Sequence, residues 1–227
     1  MGSAPLSRTA AQGGAPGWRY LVGRLHLSVR FAGFAEALAF VARVGALADE
    51  HDHHPEIDVR FSRVHLAMSS HDVGGITSRD LRLAEAVSAV VDETGGVVDH
   101  GRLTAAEIAI DTLDYRRIKP FWKAILGYVD DGEEAIRDPD LIGPALWFQQ
   151  LDRPNPIRNR LHLDVIVAHD EAAHRIDAAL AAGGRLVSDA SAPRFWILAD
   201  ADGNEACVCT WLGRDELDAA RAREPTT

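Results

Sequence analysis

Five of the ten histidines in this 227-residue chain fall between residues 51 and 71: His51, His53, His54, His65 and His71. An imidazole with a pKa of about 6.5 gives or takes a proton at neutral pH, and two of them can divide the roles of acid and base. Imidazoles also ligate metals, and Asp49, Glu50 and Asp72 lie near enough in the sequence to join such a site. A solvated loop rich in histidine is the third reading. If Phe61 and Val64 flank a two-residue turn at Ser62-Arg63, the antiparallel ladder continues down to set His54 opposite His71. His53 is then one residue away, and the His-His-Pro run and His71 converge at the open end of one hairpin. His26 and His65 alternate with apolar neighbours and are expected to face solvent.

The elements that must position these residues read clearly. Leu25, Leu27, Val29 and Phe31 alternate with polar residues as a strand, and Trp18 to Leu21, followed by Val22-Gly23, is its hairpin partner. Phe34, Leu38, Val41, Gly45 and Ala48, widened by Ala37, Phe40, Val44 and Leu47, make a helical stripe. Pro55 disfavours helix at His54, so that helix ends by there. Ile57 to Phe61 and Val64 to Met68 are strands. Gly74-Gly75 marks a bend, and Thr77-x-x-Asp80 resembles a capping box opening a helix through Leu81, Ala84, Val87 and Val91.

The second half repeats one pattern. Glu107–Asp111 starts a strand, followed by a helix through Phe121-Trp122 to Gly127 and strands around Ala145–Leu151. His162–Val167 starts it again, with a helix over Glu171–Ala182 and strands at Arg185–Ser188, Phe195–Leu198 and Ala206–Trp211. This is βαβββ written twice. The chain is therefore α+β: a flexible leader (1–16), a first domain (17–93), a linker (94–104), a second domain (105–213) and a C-terminal tail (214–227).

A formal net charge of −10 without a long basic run argues against nucleic acid and anionic membranes as partners. The N-terminus lacks the apolar core of a secretory signal, and no apolar run approaches a membrane span. Cys207 and Cys209, spaced C-x-C, share one strand face and read as reduced thiols of a cytoplasmic protein.

The run Asp49-x-x-x-His53-His54-Pro55, then Phe61, then Ser70-His71-Asp72-x-Gly74-Gly75-Ile76-Thr77-x-x-Asp80 resembles the signature of pterin-4a-carbinolamine dehydratases. Gly17-Trp18 and Phe34-x-x-Ala37-Leu38-x-Phe40-Val41 fit the start of that family. The resemblance implies an antiparallel sheet with helices on one face, self-association into a homo-oligomer, and dehydration of 4a-hydroxytetrahydropterin without metal or cofactor. It implies His53 and His71 as the acid–base pair, Asp80 at the site, and His54 with Pro55 binding the pterin. An aromatic amino acid hydroxylase is the implied protein partner. This sequence departs from the family in its Gly- and Ala-rich stretch Ser7–Gly14, where a helix is usual, and at Glu56-Ile57, where an aromatic often follows His-His-Pro.

The doubled βαβββ, with Leu113-Asp114 through Phe121-Trp122-Lys123-x-x-Leu126-Gly127-Tyr128 and the turn Asp200-x-Asp202-Gly203-Asn204-Glu205, resembles the glyoxalase and bleomycin-resistance fold. Metal-dependent members carry ligands at four strand positions, which fall here near Glu107, Gln149 or Gln150, His162 and Cys207. Glu107 and His162 are plausible ligands, glutamine is a weak one, and Cys207 stands where a glutamate is usual. A small-molecule binding or resistance protein, or a metal-dependent glyoxalase or dioxygenase, acting through this half is the alternative function. In the binding-protein form, the first half would be a dimerisation module.

Overall fold

A computed structural model of the chain describes residues 4–116, 118, 119, 122, 128–153, 161–181, 184–199 and 205–221. They divide into two units, Met1–Leu103 with Trp211–Thr227, and Thr104–Thr210.

In the first unit, β1 (Arg19–Leu21) and β2 (Arg24–Arg30) form the expected hairpin. Its turn residues Val22 and Gly23 both have positive φ, 45° and 78°, the backbone a two-residue hairpin favours. Helix α2 (Phe34–His51) buries Ala37, Phe40, Val44 and Ala48 and stops at Asp52, which adopts the left-handed conformation. β3 (Glu56–Arg60), β4 (Arg63–Met68), α3 (Ser78–Thr94) and β5 (Val97–Val98) follow. The antiparallel sheet runs β1-β2-β4-β3, with β5 also on β2. Leu25, Leu27, Val29, Val64, Leu66 and Met68 alternate onto the face that packs on α2 and α3. Buried Trp18 donates its indole N–H to Ser88 Oγ, 3.2 Å away, tying the first hairpin to α3.

Several expectations shift. The β3–β4 turn falls at Phe61-Ser62, because Arg60 pairs with Arg63 and Glu56 with Ala67. Phe61 takes a positive φ of 54°, which nothing in its type announces. The ladder closes one residue earlier than the spacing suggests, so it does not set His54 opposite His71. The leader contains α1 (Arg8–Gly14), capped by the Ser7 hydroxyl accepting from Ala10 N–H, with Ala11 buried. The linker contributes β5 and then Asp99, whose carboxylate takes Arg63 at 2.7 Å. The tail carries the last helix (Arg214–Arg221), and its Asp215 accepts hydrogen bonds from Arg8 and Thr9 of α1.

His26 and His65 do not face open water. His26 is buried, with Nδ1 3.1 Å from His65 Nε2. On this outer face the His65 ring packs edge-on to His26, and Arg63 reaches across to Ser28 Oγ and to Asp99. Burial, with the nearby Arg24 and His65, pushes the His26 pKa down to about 3, and burial also lowers His65. An unfolded His26 takes its proton near pH 6.5 and the folded one only near pH 3, so stability present above pH 6.5 is lost as pH falls between them. Acidification to pH 5 should cost about 2 kcal/mol through His26 alone. Thermal melts of wild type and His26→Gln at pH 7 and pH 5 check this. Equal acid sensitivity in the two proteins would sink it.

The second unit is the βαβββ repeat. Strand β6 (Thr104–Thr112) leads into helical residues at 115, 116, 118, 119 and 122, then β7 (Val129–Asp130), β8 (Ala135–Arg137) and β9 (Ala145–Gln150). Strand β10 (Leu161–Val167) leads into α4 (Ala172–Ala181), then β11 (Arg185–Ser188), β12 (Phe195–Ala199) and β13 (Glu205–Cys209). Among the described residues the sheet order is β11-β12-β13-β10-β6-β9-β8-β7. Its two halves meet at the antiparallel β10–β6 pair, and each first strand is parallel to the last strand of its own repeat. Two apolar clusters, around Phe148 with Tyr115 and around Val208 with Ala172, cover one sheet face. Phe121, Lys123, Leu126, Gly127, Ala182, Gly183 and the turn 200–204 lie outside the described residues.

Candidate active site

The site is built outward from Asp80. Thr77 caps α3: its hydroxyl accepts the Arg79 N–H at 3.1 Å, and the Asp80 carboxylate accepts the Thr77 N–H at 2.7 Å. The capping box therefore forms with aspartate in the third helical position. The same oxygen, Oδ2, also accepts the Ser70 hydroxyl at 2.7 Å. The other, Oδ1, lies 2.8 Å from His53 Nε2. Asp80 is fully buried and His53 is 8% exposed.

This arrangement fixes which His53 nitrogen faces Asp80. A carboxylate only accepts, so Nε2 carries the hydrogen, and in the neutral imidazole the lone pair lies on Nδ1. The backbone helps, since the His53 N–H bonds Ala48 O at 3.0 Å and anchors the residue to the end of α2. His71 sits on the short loop closed by the Ser70–Gly75 bridge. Ser70 thus links His71's loop through Asp80 to His53. His71 is exposed, with Nε2 3.7 Å from Glu56 Oε1. His54 is also exposed, with Nε2 3.1 Å from Asp49 Oδ1. Pro55 joins it to β3. The Arg79 guanidinium holds the neighbouring Asp72 carboxyl below its usual range. His51 caps its own helix by bonding Leu47 O and joins none of these groups.

Asp80 is therefore both a helix cap and the partner of His53. Ser70 and Thr77, which hold it, were not singled out as site residues in the sequence. The signal was present: the capping box places Asp80 at the start of α3, and Ser70 adjoins His71.

The pterin 4 alpha carbinolamine dehydratase family model matches residues 4–90, and a glyoxalase-like domain model matches residues 107–209. A protein of Nitrobacter winogradskyi, provisionally named pterin-4-alpha-carbinolamine dehydratase, is 40% identical over 93 residues, which is 40% of this chain and 92% of that protein. The chain belongs to the pterin-4a-carbinolamine dehydratase family. A Thermomicrobium roseum protein with the same provisional name is 49% identical over 69 residues, covering 30% of this chain and 74% of its own length. The crystal structure of a transcriptional coactivator/pterin dehydratase from Brucella melitensis aligns at 26% identity and a TM-score of 0.36, over 38% of this chain and 97% of that one. The pterin-4a-carbinolamine dehydratase match lies in the first unit, and the glyoxalase-like match lies in the second.

The second unit tests the metal positions implied by the glyoxalase resemblance. Strand register puts Glu107, Gln149, His162 and Cys207 on one sheet face, while Gln150 turns away and donates to Leu113 O. Gln149 is a weak donor, and Glu107 is not among the closely grouped ligand atoms. Among the described residues, the four positions do not by themselves gather into one metal-ligating group. Trp147 meets the His162 ring edge-on at 5.9 Å on this face, whereas Phe148 is core. No helix among the described residues is long and apolar enough to cross a membrane.

Proposed function

We propose that the first unit dehydrates a 4a-hydroxytetrahydropterin to the quinonoid dihydropterin, with the imidazoles His53 and His71 as acid and base. The observation that carries this reading is the buried Asp80, which holds His53 in one tautomer and is tied through Ser70 to the loop bearing His71.

The reaction removes a proton from the ring nitrogen next to C4a, breaks the C4a–O bond and delivers a proton to the departing hydroxyl. Water leaves and a C=N bond forms, so no electron carrier is needed. His53 offers a lone pair at Nδ1 in a shielded position and suits the base. His71 stands on the exposed rim beside Glu56 and can reload its proton from solvent, which suits the acid. His54, braced by Asp49 and followed by the rigid Pro55, orients the pterin ring.

The test is dehydration of 4a-hydroxytetrahydropterin generated in situ, comparing wild type with His71→Ala. Wild type should accelerate the reaction, and the variant should retain a small fraction of that rate, since one positioned acid contributes about 10²–10⁴-fold. A wild type no faster than buffer would overturn the proposal.

A further inference from the structure

The second unit holds a donor cluster outside the site just described. His162, Asp164 and Cys207 each offer one ligand atom, and the three atoms lie within 4.8 Å of one another. The fold makes this grouping. His162 and Asp164 are two apart on β10 and so share a face, and Asp164 pairs directly with Cys207 across the parallel β10–β13 ladder. We infer that His162, Asp164 and Cys207 form a binding site for a divalent cation of the zinc class. Asp164 lies outside the four positions that the glyoxalase resemblance implies, and of those four only His162 and Cys207 contribute.

Three features point to an ion rather than to ordinary packing. His162 Nε2 and Asp164 Oδ1 are 3.6 Å apart. That is long for a hydrogen bond, but it matches two ligands sharing one ion, because tetrahedral zinc bonds of about 2.0–2.3 Å hold their donors roughly 3.3–3.6 Å apart. The donor set is imidazole, carboxylate and thiolate, a mixture that selects zinc over the hard cations magnesium and calcium. Its two negative charges, once Cys207 loses its proton, balance a divalent ion. The third feature lies behind the histidine. Asp111 Oδ1 is buried, has no hydrogen-bond partner among the described residues, and sits 3.8 Å from His162 Nδ1. A metal on Nε2 fixes the hydrogen on Nδ1, and Asp111 is placed to receive it with a small closing movement, the carboxylate–histidine–metal arrangement of many zinc sites. Trp147 packs edge-on to the same ring and limits its rotation. Three protein donors leave one position of a tetrahedron open to water or to a ligand atom.

The experiment uses the full chain, stripped with a chelator. Calorimetric titration should show one zinc per chain, with protons released on binding because a thiol ligates as the thiolate. The cobalt(II) adduct should show near-ultraviolet thiolate charge transfer. That band should vanish in Cys207→Ser, persist in Cys209→Ser, and persist with binding about 10–100-fold weaker in Asp111→Asn. X-ray absorption of the zinc-loaded wild type needs no variant and should show one sulfur at about 2.3 Å. Absence of stoichiometric binding, a nitrogen- and oxygen-only shell, or a charge-transfer band surviving Cys207→Ser would each overturn the inference. So would binding abolished by His53→Gln, which would place the metal in the histidine cluster of the first unit.

Discussion

His53→Gln should slow pterin dehydration by about 10²–10⁴-fold while leaving the protein folded. Glutamine places an amide N–H close to where His53 Nε2 now meets Asp80 Oδ1, so the buried carboxylate keeps a donor. It has no basic lone pair to replace Nδ1. The loss should therefore fall on kcat, with the melting temperature changing little. Near-wild-type turnover in a folded His53→Gln protein would remove His53 from the chemistry.

Asp80→Ala should destabilise the first unit by about 3–5 kcal/mol. The carboxylate is fully buried and accepts from four donors: the Thr77 N–H, the Ser70 and Thr77 hydroxyls, and His53. Alanine removes the helix cap and strands those buried polar groups together, which costs more than losing any one bond. For a domain of this size the melting temperature should drop by at least about 10 °C. Asp80→Asn keeps an acceptor for the Thr77 N–H and should lose less. Chemical denaturation of the three proteins decides the matter, and a loss below about 1 kcal/mol for Asp80→Ala would mean that the network carries little.

The sequence made most of this frame legible, and the gaps have physical causes. Alternation gave β2 and β4, the stripe gave α2, and Thr77-x-x-Asp80 marked the start of α3, because period and capping are local properties of the chain. The doubled βαβββ order was legible for the same reason. The β3–β4 register was not, since it depends on Phe61 taking a left-handed conformation that its side chain does not favour. Burial of His26 was hidden because alternation describes one covered face, while the arrival of His65 from β4 on the other is a long-range event. Asp164 escaped notice because nothing in its local context separates it from an ordinary strand residue. Only the pairing of β10 with β13 brings it to Cys207.

The first unit is assembled from residues on both sides of the second. Asp215, which holds Arg8 and Thr9, is synthesised after the whole glyoxalase-like segment has been translated. The glyoxalase-like segment is thus a guest inserted into a host, and the host cannot close its last contacts until the guest has been translated. Helix α1 waits through all of that interval without its partner. Vectorial synthesis therefore imposes an order: the guest can complete its own sheet first, and the host seals last.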